Sequence, residues 1–251
     1  MAEAILRAEG LGHRFADGNW AFRGIDFELG GGQISLLAGR NGAGKTMFAK
    51  HLAGLLEPSE GSVRFRGQSL GELKGSVASR VGYVFQDARL QAVGEKVFED
   101  ALFGPTNLGL PKAEARTRAE EALASCGLSD KAELFVHSLS GGELRRLAIA
   151  GVLAMRPEVL ILDEPFANLD PSGVTEILSL IKGIAAEGVA LLLVTHEIEK
   201  VLALATSFAI MDSGKIALQG DAAEVLSRGI ESYGLRDPFR PSARVEDLLW
   251  L

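Results

Sequence analysis

Gly39-Arg40-Asn41-Gly42-Ala43-Gly44-Lys45-Thr46 stands directly behind the apolar run Ile34–Ala38 and directly ahead of a segment in which Phe48, Leu52, Leu55 and Leu56 recur at helical spacing. Strand, glycine loop and helix in this order make a phosphate-binding loop, because the loop N–H groups and the positive end of the helix dipole converge on one anion. In such a loop Lys45 reaches the outer phosphates and Thr46 offers its hydroxyl to Mg2+. Pro58 is expected to stop the helix.

Working outward, compact apolar runs at residues 81–85, 159–163, 190–195 and 208–211 read as buried strands. Helical patterns separate most of them, which implies an α/β fold with a mainly parallel sheet. Ahead of the loop, residues 4–32 hold short runs such as 22–29, broken by Asp17-Gly18-Asn19 and Gly30-Gly31-Gly32, and read as strands and turns. Residues 112–125 are alanine-rich, charged and helical, and with 144–155 they are expected to form a helical subdomain inserted between strands. Residues 221–251, with Pro238, Pro241 and an apolar stretch at 248–251, read as a small appendage. No internal repeat is visible, so one catalytic unit per chain is expected.

Composition narrows the function classes. A chain of 251 residues, 47% hydrophobic and 24% charged, has enough apolar material for one large core. Its net charge of −7 and the lack of a basic stripe argue against a dedicated nucleic-acid binder. Cys126 is the single cysteine and cannot form an internal disulfide, which fits a reducing cytosol. The most apolar stretches, 147–155 and 189–194, fall far short of the roughly 20 residues that a membrane span needs. The N-terminal residues, with Glu3 and Glu9, do not read as a secretory signal. If the chain works at a membrane, other subunits must span it.

Two further motifs carry chemistry. The run Val159-Leu160-Ile161-Leu162 delivers Asp163 and Glu164 at a strand's C-terminal end, where such sheets bind ligands. Asp163 would hold Mg2+, and Glu164 would orient or deprotonate an attacking water. Acidic residues commonly end strands, so the pair takes its meaning from the glycine loop. Leu139-Ser140-Gly141-Gly142-Glu143 opens a helix with exposed N–H groups and reads as a second anion site. Ser140 with Glu143 three positions later also reads as a capping box. The two readings are compatible.

The order of these three motifs, closed by Asn168-Leu169-Asp170 and by His196 after Val194-Thr195, resembles the ATP-binding cassette family over residues 4 to about 220. The resemblance implies a P-loop NTPase fold in residues 1–220, with an N-terminal antiparallel β subdomain and a helical signature subdomain near residues 87–156. It also implies ATP and Mg2+ as ligands and places residues 39–47, Gly39 through Met47, at the nucleotide. Two cassettes pair head to tail in that family, so the signature Leu139–Glu143 would serve ATP held by the partner's loop, with Asn168-Leu169-Asp170 as the D-loop. Gln86 matches the glutamine that senses Mg2+ and the attacking water, although alone it is a solvent-facing residue at a strand end. His196 matches the histidine at the γ-phosphate, although a lone histidine after a strand is more often a surface residue. Phe15 falls at the adenine-stacking position, with a place in the strand core as its alternative.

A narrower likeness lies in Val84-Phe85-Gln86, Phe98-Glu99-Asp100, the segment 103–110 and the segment 145–154. These resemble the ATPase subunits of energy-coupling-factor importers, which take up cobalt, nickel, biotin and other vitamins. That resemblance implies transmembrane partner subunits, docking around residues 103–110, and a peripheral position at the cytoplasmic face. A second cassette completes the dimer, and two intact motif sets favour a homodimer over a heterodimer. Several residues depart from the family pattern. Met47 leaves only a backbone N–H for the α-phosphate, Asp87-Ala88-Arg89 replaces Asn-Pro-Asp, Glu143 replaces glutamine, and Phe166 replaces threonine. A carboxylate at 143 would repel a triphosphate unless it caps the helix. The competing reading is a soluble cassette such as an iron–sulphur cluster assembly factor.

Overall fold

A computed structural model describes residues 4–239 of the chain. Strands β1 (Ala4–Arg14) and β2 (Trp20–Gly30) pair antiparallel. After β3 (Ile34–Ala38) and α1 (Lys45–Leu52), the strands β4 (Glu60–Phe65) and β5 (Gln68–Ser69) complete a four-stranded antiparallel sheet in the order β2-β1-β4-β5. A short α2 (Leu70–Leu73) leads to β6 (Val81–Val84). Three helices, α3 (Val97–Asn107), α4 (Lys112–Ser125) and α5 (Gly141–Leu153), then intervene before β7 (Val159–Asp163). The elements α6 (Pro171–Ala186), β8 (Ala190–Val194), β9 (Ser207–Asp212), β10 (Lys215–Gly220) and α7 (Ala222–Ser227) follow.

The second sheet has six strands in the order β10-β9-β3-β8-β7-β6, all parallel except β10 on β9. Every residue of β3, β6, β7 and β8 is buried, so these strands read as unbroken apolar runs rather than alternating ones. The pleat divides them. Leu36, Leu160, Leu162, Leu191 and Leu193 join a core with α4, α5 and α6, while Leu37, Ile161, Leu192 and Val194 join one with α1 and the antiparallel sheet. A one-residue slip of a strand would exchange these faces, and the register holds the C-terminal ends of β3, β8 and β7 level. That level edge carries the glycine loop and Asp163.

Helix α4 occupies the expected residues because Ala115, Ala119, Ala122 and Leu123 form one buried stripe on an otherwise charged helix. Helix α1 departs from expectation. It ends at Leu52, with Gly54 N–H donating to His51 O, so Leu55 and Leu56 lie beyond it and Pro58 does not set its end. The described part of the appendage packs on the core through Val225, Ile230 and Leu235. Pro241, the stretch 248–251 and Glu3 lie outside the described residues. Among the described residues no helix is long and apolar enough to cross a membrane.

Candidate active site

The glycine loop turns sharply off β3. Gly39 has φ 144, and a Cβ there would lie 2.0 Å from Met211 O, so only glycine lets the loop lie on β9. Lys45, at the start of α1, is 6% exposed, and its Nζ donates to Gly39 O at 2.8 Å and Arg40 O at 3.0 Å. Burial lowers its pKa, opposed by the nearby carboxylates of Glu164 and Asp163.

Asp163 ends β7 and is 2% exposed. Its Oδ1 accepts from Thr46 Oγ1 at 3.3 Å and its Oδ2 from the Tyr83 hydroxyl at 2.8 Å. Burial raises its pKa, although both hydrogen bonds and Lys45 pull the other way. Glu164, also buried, has φ 46, a conformation rare for a long side chain and typical of strain kept at functional sites. Its N–H donates to Val194 O at 2.7 Å, which ties the residue to the end of β8. Thr195 Oγ1 donates to Glu164 Oε2, and His196 Nδ1 lies beside Oε1. Phe166 is fully buried in the apolar core, so its departure from threonine is a packing matter.

Lys45, Thr46, Gln86, Glu164 and His196 line one cavity of about 630 Å³, with Phe15 and Trp20 along its wall. Phe15 is 45% exposed, which excludes the strand-core alternative. Gln86 and His196 are exposed and face the same space. Asn41, Gly42, Gly44 and Met47 line it too, whereas Gly39, Arg40 and Ala43 do not. The Arg40 side chain instead turns to the C-terminal segment. Its Nη2 donates to Ser232 O at 2.9 Å, and a Cβ on Gly234 would sit 2.4 Å from Arg40 Nε. Trp20, Tyr83 and Thr195 were not singled out by sequence reasoning. Among the described residues no cluster of three or more His, Cys, Asp or Glu is poised for a metal. Asp163 is hydrogen-bonded to Thr46, which lines the cavity with Gln86, and their carboxylate, hydroxyl and amide oxygens are the donor types a hard cation takes.

The signature lies apart from this cavity. Ser140 Oγ accepts from Glu143 N–H at 3.3 Å, and Glu143 Oε2 accepts from Ser140 N–H at 2.7 Å, a reciprocal cap on α5. Lys131 pairs with Glu143 Oε1. The Lys131 contact and then the Ser140 N–H hold the Glu143 carboxyl down at about 2. Glu143 therefore caps the helix, which answers the repulsion expected of it. A Cβ on Gly141 would meet nothing within 4 Å, so the head of α5 is open, and Gly142 lies against Leu169. Asp170 caps α6 by accepting from Gly173 N–H at 2.9 Å. Leu139–Glu143 and Asn168-Leu169-Asp170 are thus neighbours, and neither group lines the Lys45 cavity.

A groove of about 550 Å³ runs between β6 and the pair α3 and α5, lined by Leu55, Phe85, Phe103, Leu108 and Met155. Phe103 is 52% exposed at its mouth.

A buried-strand sheet with a glycine loop and two carboxylates on its C-terminal edge, plus a separate capped signature helix, defines an ATP-binding, ATP-hydrolysing cassette. The chain belongs to the ABC transporter family, whose pattern matches residues 22–167. It is 44% identical over 239 residues to the cobalt import ATP-binding protein CbiO of Rhodobacter capsulatus, covering 93% of this chain and 85% of that protein. It is 39% identical to the energy-coupling factor transporter ATP-binding protein EcfA of Methanosphaera stadtmanae, covering 94% and 86%. Among solved structures it resembles cbiO1 of Clostridium perfringens, part of the ABC transporter complex cbiONQ. That likeness has a TM-score of 0.82 at 35% identity and covers 92% of this chain and 95% of that one.

Proposed function

We propose that this chain is the ATP-binding subunit of an energy-coupling-factor importer for a transition-metal ion such as cobalt or nickel, or for a vitamin such as biotin. It works peripherally at the cytoplasmic face, docked on transmembrane subunits and paired head to tail with a second cassette, here a second copy of itself. The observation that carries this reading is the convergence of Lys45, Thr46, Gln86, Glu164 and His196 on one cavity while Ser140 stays outside it. Relatives at 37–44% identity named for cobalt import and energy coupling favour it over an iron–sulphur assembly cassette.

Thr46, Asp163 and Gln86 would hold Mg2+, which when bound offsets phosphate charge. Lys45 and the loop N–H groups bind the triphosphate, and Phe15 and Trp20 form the wall for the base. Glu164, its carboxylate fixed by Thr195 and His196, accepts the proton of the attacking water. His196 orients the γ-phosphate. The head of α5, with Ser140, Gly141 and Gly142, supplies N–H groups to ATP held by the partner chain.

Adding ATP to a Glu164→Gln chain should shift monomer to dimer in sedimentation, because a ligand shared between chains stabilises the pair by mass action. Mixing Lys45→Ala with Ser140→Arg chains should restore part of the hydrolysis, since one composite site of the mixed dimer is intact. Full turnover by a chain that stays monomeric at high dilution would overturn the shared site. Transmembrane subunits are expected to co-purify with the chain in mild detergent, and analysing them for bound metal or vitamin tests the substrate.

A further inference from the structure

Arg145, on the first turns of α5, is 4% exposed. Burial disfavours its charge, opposed by the carboxylates of Asp87 and Asp163, and such a cation is costly unless its donors are used. Its two Nη groups are used on one peptide segment, while Nε is buried without a hydrogen-bond partner. Nη1 donates to Phe85 O at 2.8 Å and Nη2 to Gln86 O at 2.6 Å, so one planar guanidinium grips the carbonyls on both sides of the Gln86 Cα. Two peptide planes held at once restrict the intervening φ and ψ, and with them the direction in which the Gln86 Cα–Cβ bond leaves the backbone. A second tie acts one residue earlier. Gln91 Oε1 accepts from Phe85 N–H at 3.0 Å, and its Nε2 donates to Ala148 O, also at 3.0 Å and again on α5.

We infer that Arg145 is a positioning residue for Gln86, making the placement of that glutamine in the nucleotide cavity conditional on the position of the signature helix. The inference rests on the reading of Gln86 as a site residue. Any displacement of α5 relative to the sheet reaches Gln86 through these bonds, with no need for the nucleotide to bridge the two. Lysine cannot replace the fork, because a single ammonium on a flexible stem does not fix two carbonyls in a plane.

The test uses the full chain as Arg145→Met, Arg145→Lys, Gln86→Ala and the two double variants. Steady-state hydrolysis, ATP binding, thermal melting, and amide hydrogen exchange without nucleotide are measured for each. Either Arg145 variant should lower kcat by about ten- to hundredfold, as loss of an outer-shell partner does, with KM unchanged. Exchange should quicken at residues 85–87 while residues 145–153 stay protected. In the Gln86→Ala background the Arg145 changes should cost nothing further in kcat. Multiplying losses in the double variants, or wild-type kcat in Arg145→Lys, would overturn the inference. If Arg145→Met fails to fold, Arg145→Lys, which keeps the buried charge, decides. Undiminished turnover in Gln86→Ala would instead overturn the role given to Gln86. The exchange at residues 85–87 would then judge the Arg145 tie by itself.

Discussion

Thr195 Oγ1 donates to Glu164 Oε2 at 2.9 Å, and His196 Nδ1 lies 2.9 Å from Oε1, so two consecutive residues after β8 hold both oxygens of one buried carboxylate. The carboxylate plane is thereby fixed before any substrate arrives. Glu164→Gln keeps this shape but removes the proton acceptor, and kcat should fall by about 10²–10⁴-fold. ATP affinity should be retained. Nucleotide titration and steady-state hydrolysis check the two halves, and normal turnover would remove Glu164 from its role.

Lys45 separates binding from chemistry. Its ammonium is buried and satisfied by two loop carbonyls, so it is held within the cradle rather than recruited from solvent. Truncating one partner of a buried charge pair costs roughly 2–5 kcal/mol, and Lys45→Ala should weaken ATP binding by about thirtyfold or more. Calorimetric titration of ATP into the variant measures this. An unchanged Kd would contradict it.

Glu143 gives the chain an acid-side signature. Its carboxyl sits at about 2 when folded against an ordinary 4.5, a lowered value, so its stabilisation is complete above 4.5 and is lost as the pH falls towards 2. Glu143→Gln keeps a capping side chain but loses the charge that Lys131 meets. The variant should be less stable at neutral pH by about 0.2–1 kcal/mol, at roughly 2–4 °C of Tm per kcal/mol. Melting curves from pH 7 to pH 2 should converge as that range is crossed, and a constant gap would refute the assignment.

Phe103 is half exposed at the mouth of an apolar groove, so its replacement by aspartate should leave the fold and ATP binding intact. Buried under a partner helix, the new charge would go unpaired at a cost of about 1–3 kcal/mol or more, some tenfold or more in Kd. Leu108→Asp should act in the same direction. Pull-down of the transmembrane subunit reads the effect, and undiminished capture would move the docking surface elsewhere.

What the sequence revealed follows from where its signals were local. The loop at 39–46, the strands β3 and β7 and the helix α4 are each written in a contiguous run, and their bounds were read directly. Helix α1 was overrun because Leu55 and Leu56 continue its period past the turn at Ala53-Gly54. Strand β10 escaped notice because its six residues alternate half-exposed and exposed positions at a sheet edge, with no apolar run to mark it. The partners of the carboxylates were illegible for a different reason. Tyr83 is 80 residues from Asp163 and Thr195 is 31 from Glu164, and only the sheet register brings them together. Trp20 had a signal, an aromatic residue just across the turn from Phe15, that would have placed it on the cavity wall. Arg145 had none, since an arginine on a helix reads as solvated until the fold buries it.

The contact between Arg40 and the Ser232–Gly234 turn makes the phosphate cradle and the C-terminal segment a single mechanical unit. A hydrogen bond from a charged donor transmits at most about 3 kcal/mol, and linkage makes that influence reciprocal. Filling the cradle biases how the segment sits, and whatever grips the segment biases the cradle by the same amount. A reporter group placed near Ser232 would therefore register occupancy of a cavity it never touches.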